Sequence, residues 1–298
     1  MMSSKLVVAL VGLGVMVGSV QAQELTGTLK KIKDTGTITL GVRDSSIPFS
    51  YLDDKQSYQG YSIDLCLKAA TAIQKQLGMT ALNVKMVPVT SATRIPLISN
   101  GTIDLSCDSA TNNAERQKVV SFAPTMYVTA NRLLAKKSSN VKSLEDLKGK
   151  TIVSTTGTTN FQILRTLNEE KKLGMELLGA KDHSESALMV QTGRAVAFGM
   201  DDILLYGLRA AAQNPASLAV VGEAIQVEPY AIMLRKDDPA FKKLVDDTLA
   251  GLMKSGEFTK LYTKWFQSPI PPKGINLNAP MSPELVENLK ALSDKPAT

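Results

Sequence analysis

Short runs of apolar and β-branched residues alternate along the chain with segments whose apolar positions recur every three or four residues, as expected of parallel strands covered by helices. The run Thr37–Val42 predicts a strand. In the segment from Asp64 to Leu77, Leu65, Ala69, Ala72, Ile73 and Leu77 share one helical face, and Gly78 is placed to end the helix. A strand over 84–89, a short helix from Arg94 to Asn100-Gly101 and a strand over 103–107 complete a first unit. A second unit follows, with a strand from Thr151, a helix over 161–172, a strand over 195–200 and a helix over 203–212. Beyond it the pattern predicts a strand over 231–235 and a helix over 240–254, which Asp238 caps and Pro239 stiffens at its first turn. A last helix over 257–266 is closed by Pro269 and Pro271-Pro272, with Trp265 and Phe266 read as packing residues.

Two such units with no long flexible linker predict an α/β protein of two lobes that share crossing strands and enclose a cleft. The crossings are expected near Tyr127-Val128 and Gln226-Val227. One lobe then comprises 23–127 and 227–298, the other 128–226.

The first residues change the compartment rather than the fold. Lys5, an apolar run from Leu6 to Val17 broken by Gly12 and Gly14, and the small-residue site Val20-Gln21-Ala22 read as a cleavable signal peptide over 1–22. Its removal lowers the formal charge from +6 to +5, because Lys5 is its only charged residue. That excess is scattered in solvated pairs such as Lys136-Lys137, so no nucleic-acid footprint is indicated. An oxidising compartment permits one disulfide between Cys66 and Cys107, the only cysteines, with two buried thiols as the alternative.

Ligands of open α/β sheets meet the loops beyond the carboxyl ends of the strands. These loops are polar here: Arg43 follows the first strand, Ser91 and Arg94 the second, and Ser109 and Thr111 the third. In the second unit Thr155-Thr-Gly-Thr-Thr159 and Asp201-Asp202 hold the matching positions. Two arginines at strand ends suit a ligand with two carboxylates, since the guanidinium fork binds carboxylate in a bidentate geometry. The Thr156–Thr159 loop offers backbone N–H groups ahead of a helix, and Asp201 can accept from an ammonium group, whereas Asp202 is expected to cap the next helix. Thr111 or Asn112, with Glu115, reads as an ordinary N-cap, although Thr111 is able to serve both cap and ligand. His183, the sole histidine, reads on its own as an exposed loop residue, and its isolation argues against a metal site.

At these positions the sequence resembles the periplasmic glutamate/aspartate-binding proteins of ABC transporters, within the polar amino acid solute-binding family. The resemblance rests on Gly41–Ser50, Gly60-Tyr-Ser-Ile-Asp64, Thr90–Pro96, Thr111–Arg116, Thr156–Thr159, Lys181-Asp-His183, Gly193–Phe198 and Lys264–Pro272, and covers the chain beyond the signal segment. It implies the two-lobed type II periplasmic-binding-protein fold and a periplasmic, monomeric protein without cofactor or metal. Hinge closure over L-glutamate or L-aspartate, and delivery to the membrane subunits of an ABC importer, are implied with it. Arg94 and the loop at Thr159 would hold the α-carboxylate, Asp201 and the Ser109 region the ammonium group, and Arg43, Ser91 and His183 the side-chain carboxylate. Related chains commonly carry Gly-Ser-Thr after the cysteine, whereas this one has Cys107-Asp-Ser-Ala-Thr111, which adds a negative charge at Asp108. Counting only Arg43, Arg94 and Asp201, a singly negative ligand would leave the closed site neutral. Rival functions on the same scaffold are a periplasmic dehydratase-type enzyme and a sensory ligand-binding module. No nucleophile with its base supports the first, and no transmembrane or signalling segment after Phe266 supports the second.

Overall fold

A computed structural model describes residues 25–297; the signal segment expected over 1–22 lies outside them. The chain opens with α1 (Gly27–Thr35), β1 (Thr37–Val42), the short strands β2 (Ser45–Ser46), β3 (Ser50–Leu52) and β4 (Tyr58–Gln59), and α2 (Tyr61–Gln76). It continues through β5 (Asn83–Pro88), α3 (Arg94–Ser99), β6 (Leu105–Ser106), α4 (Ala114–Gln117) and β7 (Val120–Phe122). The second lobe holds β8 (Tyr127–Lys136), β9 (Thr151–Thr155), α5 (Thr159–Glu170), β10 (Glu176–Ala180), α6 (His183–Thr192), β11 (Ala197–Asp201), α7 (Asp202–Ala211) and β12 (Leu218–Val221). The return runs along β13 (Val227–Tyr230) to β14 (Met233–Arg235), α8 (Pro239–Ser255), α9 (Glu257–Phe266) and α10 (Pro283–Ala291).

Each lobe is organised on one sheet, in the orders β5-β1-β6-β14-β7 and β10-β9-β11-β8-β12. Strands β1, β5 and β6 are mutually parallel, as are β9, β10 and β11, so their carboxyl ends face the same cleft. Helices cover both faces, which explains why β11 is buried along its whole length. The edge strand β5 is half exposed instead. Strands β8 and β14, each one in from a sheet edge, run antiparallel to their neighbours, and β13 pairs with the start of β8 from Tyr127↔Tyr230 to Ala130↔Val227. These two paired strands carry the chain between the lobes.

Ring packing consolidates the crossing. Tyr127 stacks on Phe266 at 4.7 Å between centroids, and Phe49 meets Tyr230 edge-on at 5.2 Å. Trp265 and Phe266 are buried as expected, and the Trp265 indole also donates to Asp64 at 2.8 Å. Cys66 of α2 and Cys107, just after β6, form a disulfide.

Most departures from the sequence reading are boundary shifts with local causes. Helix α2 begins at Tyr61 rather than Asp64, after Gly60 at φ 144°, where a Cβ would stand 2.2 Å from the Phe49 carbonyl oxygen. Helix α6 was not expected, because it buries Ser186, Ala187, Met189 and Val190 while exposing Leu188, so its apolar pattern is nearly erased. Helix α10 was also unforeseen. Ser282 caps it, and the segment after it bonds to Thr125 and Asn112 of the first lobe. No helix among the described residues is long and apolar enough to cross a membrane.

Candidate functional site

The strand ends of the two lobes meet around a small cavity of about 10 Å³, far below the ~300–1,000 Å³ usual for drug-sized ligands. Of the expected residues, Ser91, Arg94, Ser109, Thr111, Thr159, His183 and Asp201 line it. Arg43 does not line it; almost wholly buried, it donates from Nη1 to Ser91 Oγ of the wall at 2.8 Å, while Nη2 has no partner. Thr156 is not on the wall. Its hydroxyl turns away to the Ala180 carbonyl at 3.1 Å, and Thr158 and Thr159 take the place expected of it. A wider hollow on the second lobe, bordered by Leu133, Leu144 and Leu167, gathers none of these groups.

The electrostatics are richer than two arginines and one carboxylate. Arg43, Arg94 and Arg116 are buried together with Asp108, Asp201 and Glu228, so guanidinium groups and carboxylates are equal in number. The neutral closed site expected from Arg43, Arg94 and Asp201 alone is therefore corrected. With every group ionised the empty cluster is already balanced, and a singly negative ligand leaves an excess of one negative charge. The cause is Asp108 together with Arg116 and Glu228, two residues to which the sequence assigned no role. Asp108 pairs with Arg94 Nη1 at 3.0 Å. Arg116, from α4, donates to the Thr111 carbonyl at 2.9 Å and to the Gly157 carbonyl of the second lobe at 3.3 Å. Glu228, from the crossing strand β13, accepts from the hydroxyls of Thr111 and Thr159. Burial and the neighbouring Arg94 push both Arg43 and Arg116 down to about 10, which leaves them charged at neutral pH.

Capping in two places also differs from expectation. Asn113, not Thr111 or Asn112, caps α4 by accepting from Arg116 N at 2.9 Å, which frees Thr111 for Glu228. Asp202 does not cap α7; its carboxylate accepts from Thr129 at 2.7 Å, across the start of β8.

His183 is fully enclosed, not an exposed loop residue, because it opens α6 behind the Asp182 cap. Ser186 Oγ donates to the Asp182 carbonyl at 3.0 Å, so Thr155 Oγ1 must donate to Ser186 and accept from His183 Nδ1 at 2.9 Å. The imidazole thus carries its proton on Nδ1. Burial, then the charges of Arg43 and Arg94, hold its pKa well below 6.5, so it is neutral through the physiological range.

Asp201 ends β11 and receives three donors: Asn131 at 2.7 Å and Asn160 at 3.0 Å on one oxygen, and the Tyr230 hydroxyl on the other. Burial and then the Glu228 charge nevertheless raise it to about 8. Near neutral pH it is therefore poised to hold a proton until a cation reaches it.

The lobes touch through Arg116–Gly157, Thr111–Thr159 at 3.4 Å and Ser184 N to Ser45 Oγ at 3.4 Å. Gly157 makes the tightest approach. At φ 78°, a Cβ there would stand 2.6 Å from the Ala92 backbone of the first lobe. Gly157→Ala is therefore expected to hold the lobes apart, weakening ligand binding at least tenfold while costing the ligand-free fold only about 1–2 kcal/mol of left-handed backbone strain. Affinity and thermal unfolding measured on the same preparation check this; unchanged affinity would contradict it.

The chain matches the family model for bacterial extracellular solute-binding proteins, family 3, over residues 38–268. It is 53% identical over 279 residues to an L-glutamate/L-aspartate-binding protein of Pseudomonas aeruginosa, covering 93% of this chain and 92% of that one. A glutamate/aspartate import solute-binding protein of Escherichia coli is 46% identical, with 96% of each chain covered. Among solved structures, an ancestral arginine-binding protein bound to arginine superposes with a TM-score of 0.71 at 28% identity, covering 78% of this chain and 98% of that one. These relatives are binding proteins rather than enzymes.

Proposed function

Since the chain belongs to family 3 of the bacterial extracellular solute-binding proteins, we propose that it captures L-glutamate or L-aspartate between its lobes and delivers it to an ABC importer. The observation that carries this reading is a pair of buried guanidinium groups with unspent donors: Arg94 Nε on the cavity wall, and Nη2 of Arg43, whose Nη1 bonds Ser91 of that wall. Each matches one carboxylate of an acidic amino acid. Arg94 and the N-terminus of α5 at Thr159 take the α-carboxylate, while Asp201 and Ser109 take the ammonium group. Arg43 and Ser91 read the side-chain carboxylate. His183 lines that corner as a neutral ring. Thr156 supports the loop from behind through Ala180. The relatives' names support the same ligand class.

The lobes, 23–127 with 227–298 and 128–226, turn about the paired strands β8 and β13. The protein works as a monomer in the periplasm after loss of residues 1–22. Ligand engages the arginine-bearing lobe first, and closure brings Thr159, His183 and Asp201 over it, so binding energy biases the hinge. X-ray scattering with and without saturating glutamate tests this step: compaction is expected, and an unchanged radius of gyration would refute hinge closure.

The raised pKa of Asp201 gives the binding a pH signature. The ligand ammonium favours the carboxylate, so binding below about 8 releases a proton from Asp201. Apparent affinity should therefore rise with pH from 6 toward 8, by up to about tenfold per unit, and then level off. His183, already neutral, adds nothing to this slope. Dissociation constants measured across that range check it. Asp201→Asn should bind more weakly with a flat profile; a flat wild-type profile would contradict the assignment.

A further inference from the structure

Asp108 is the carboxylate of the cluster that pairs directly with Arg94, and it follows the disulfide-bonded Cys107 in sequence. Its backbone carbonyl accepts from Ser62 of α2 at 2.9 Å, and its Oδ2 accepts from Ser106 Oγ at 2.9 Å as well as from Arg94. The side chain is fully buried and anchored from two elements, so it is a permanent part of the arginine's surroundings. Its Oδ1 has no partner, which is a costly state for a buried carboxylate and one that a purely structural aspartate has no reason to keep.

Two consequences follow for Arg94. Nη1 is spent on Asp108 and on the Ser109 carbonyl at 3.3 Å, leaving Nε as a buried donor without a partner. The positive charge offered to a ligand carboxylate is at the same time offset by an anion in permanent contact. In the empty protein that offset helps, because Arg94 repels both Arg43 and Arg116. In the occupied protein it opposes the ligand: carboxylates gathered in a desolvated site repel strongly, and only acidic ligands bring the extra negative charge.

We propose that Asp108 is a specificity-determining residue, a built-in anion on Arg94 that steadies the empty cavity and restrains capture of acidic amino acids relative to their amides. The proposal rests on the acidic-ligand reading of the cavity. Without Asp108 the occupied site is balanced, with Arg43, Arg94 and Arg116 opposed by Asp201, Glu228 and the net charge of the ligand.

The test uses the full chain without its signal segment and compares wild type with Asp108→Asn, which removes the charge and keeps the shape. Dissociation constants for L-glutamate and L-glutamine are measured by titration calorimetry at two ionic strengths. Asp108→Asn is expected to bind glutamate at least about tenfold more tightly, with glutamine changed by less than about threefold and a lower melting temperature for the ligand-free variant. Asp108→Ser, smaller and still able to meet Ser106, repeats the measurement should Asp108→Asn fail to fold. Unchanged or weaker glutamate binding, or equal tightening for both ligands, would overturn the proposal. If wild type itself gave no heat with glutamate or aspartate, the acidic-ligand reading would fall first and take this inference with it.

Discussion

Arg94→Ala should abolish measurable glutamate binding and unfold the protein more easily, two losses that a double variant can separate. The first loss arises because Arg94 lines the cavity with a free Nε, whereas Arg116, also on the wall, spends Nη1 and Nη2 on the Thr111 and Gly157 carbonyls. Removal of a bidentate, desolvated charge partner for the α-carboxylate is expected to weaken binding by roughly a thousandfold or more. The second arises because Asp108 would be left buried and unpaired, a change worth about 3–5 kcal/mol. Arg94→Ala combined with Asp108→Ala removes both charges and should regain most of the stability while remaining unable to bind. Denaturant unfolding and calorimetry on the three proteins check this. If the double variant were as unstable as Arg94→Ala alone, the Arg94–Asp108 pair would not be the source of the loss.

Loss of the disulfide is expected to have the next largest effect. Cys66 and Cys107 are 41 residues apart in sequence, and closing a loop of that length removes about 4 kcal/mol of unfolded-state entropy. Replacing both by serine should lower the melting temperature by roughly 10 °C, taking ~2–4 °C per kcal/mol for a chain of this size. Asp108 and Ser109 follow the bridge directly, so affinity should fall as well. Thermal scans of the oxidised, reduced and serine forms check this; a shift below about 2 °C would show that the bridge adds little to the packing of α2 on β6.

Much of the fold could be read in advance because its parallel strands are buried on both faces and announce themselves as β-branched runs. The strand ends then pointed to Arg43, Arg94, Ser109 and Asp201 without knowledge of the tertiary contacts. Taken on its own, His183 reads as an exposed loop residue because α6 buries small and polar side chains, which no helical periodicity reports; only the resemblance pointed to it as a site residue. Glu228 was missed for a different reason. It lies in a four-residue crossing strand with exposed Val227 before it and Pro229 after it, and it becomes part of the site only because β13 pairs with β8. Arg116 received no role of its own from the sequence, since nothing local shows that its guanidinium reaches the Gly157 carbonyl across the cleft. Thr156 and Thr158 were indistinguishable by type, and only the turn at Gly157 decides which faces the cavity. The charge balance of the cluster depends on these tertiary placements, so a count from strand ends alone came out one negative charge short.

Titration calorimetry of the chain with L-glutamate, L-aspartate, L-glutamine and L-asparagine, at one pH and one ionic strength, bears most directly on one arginine for each ligand carboxylate. Both acids should bind, and each amide should bind more weakly than its acid by about a hundredfold or more, since the amide leaves a buried guanidinium without its anion. Amides that bind within a few fold of the acids would contradict the assignment of Arg43 to the side-chain carboxylate.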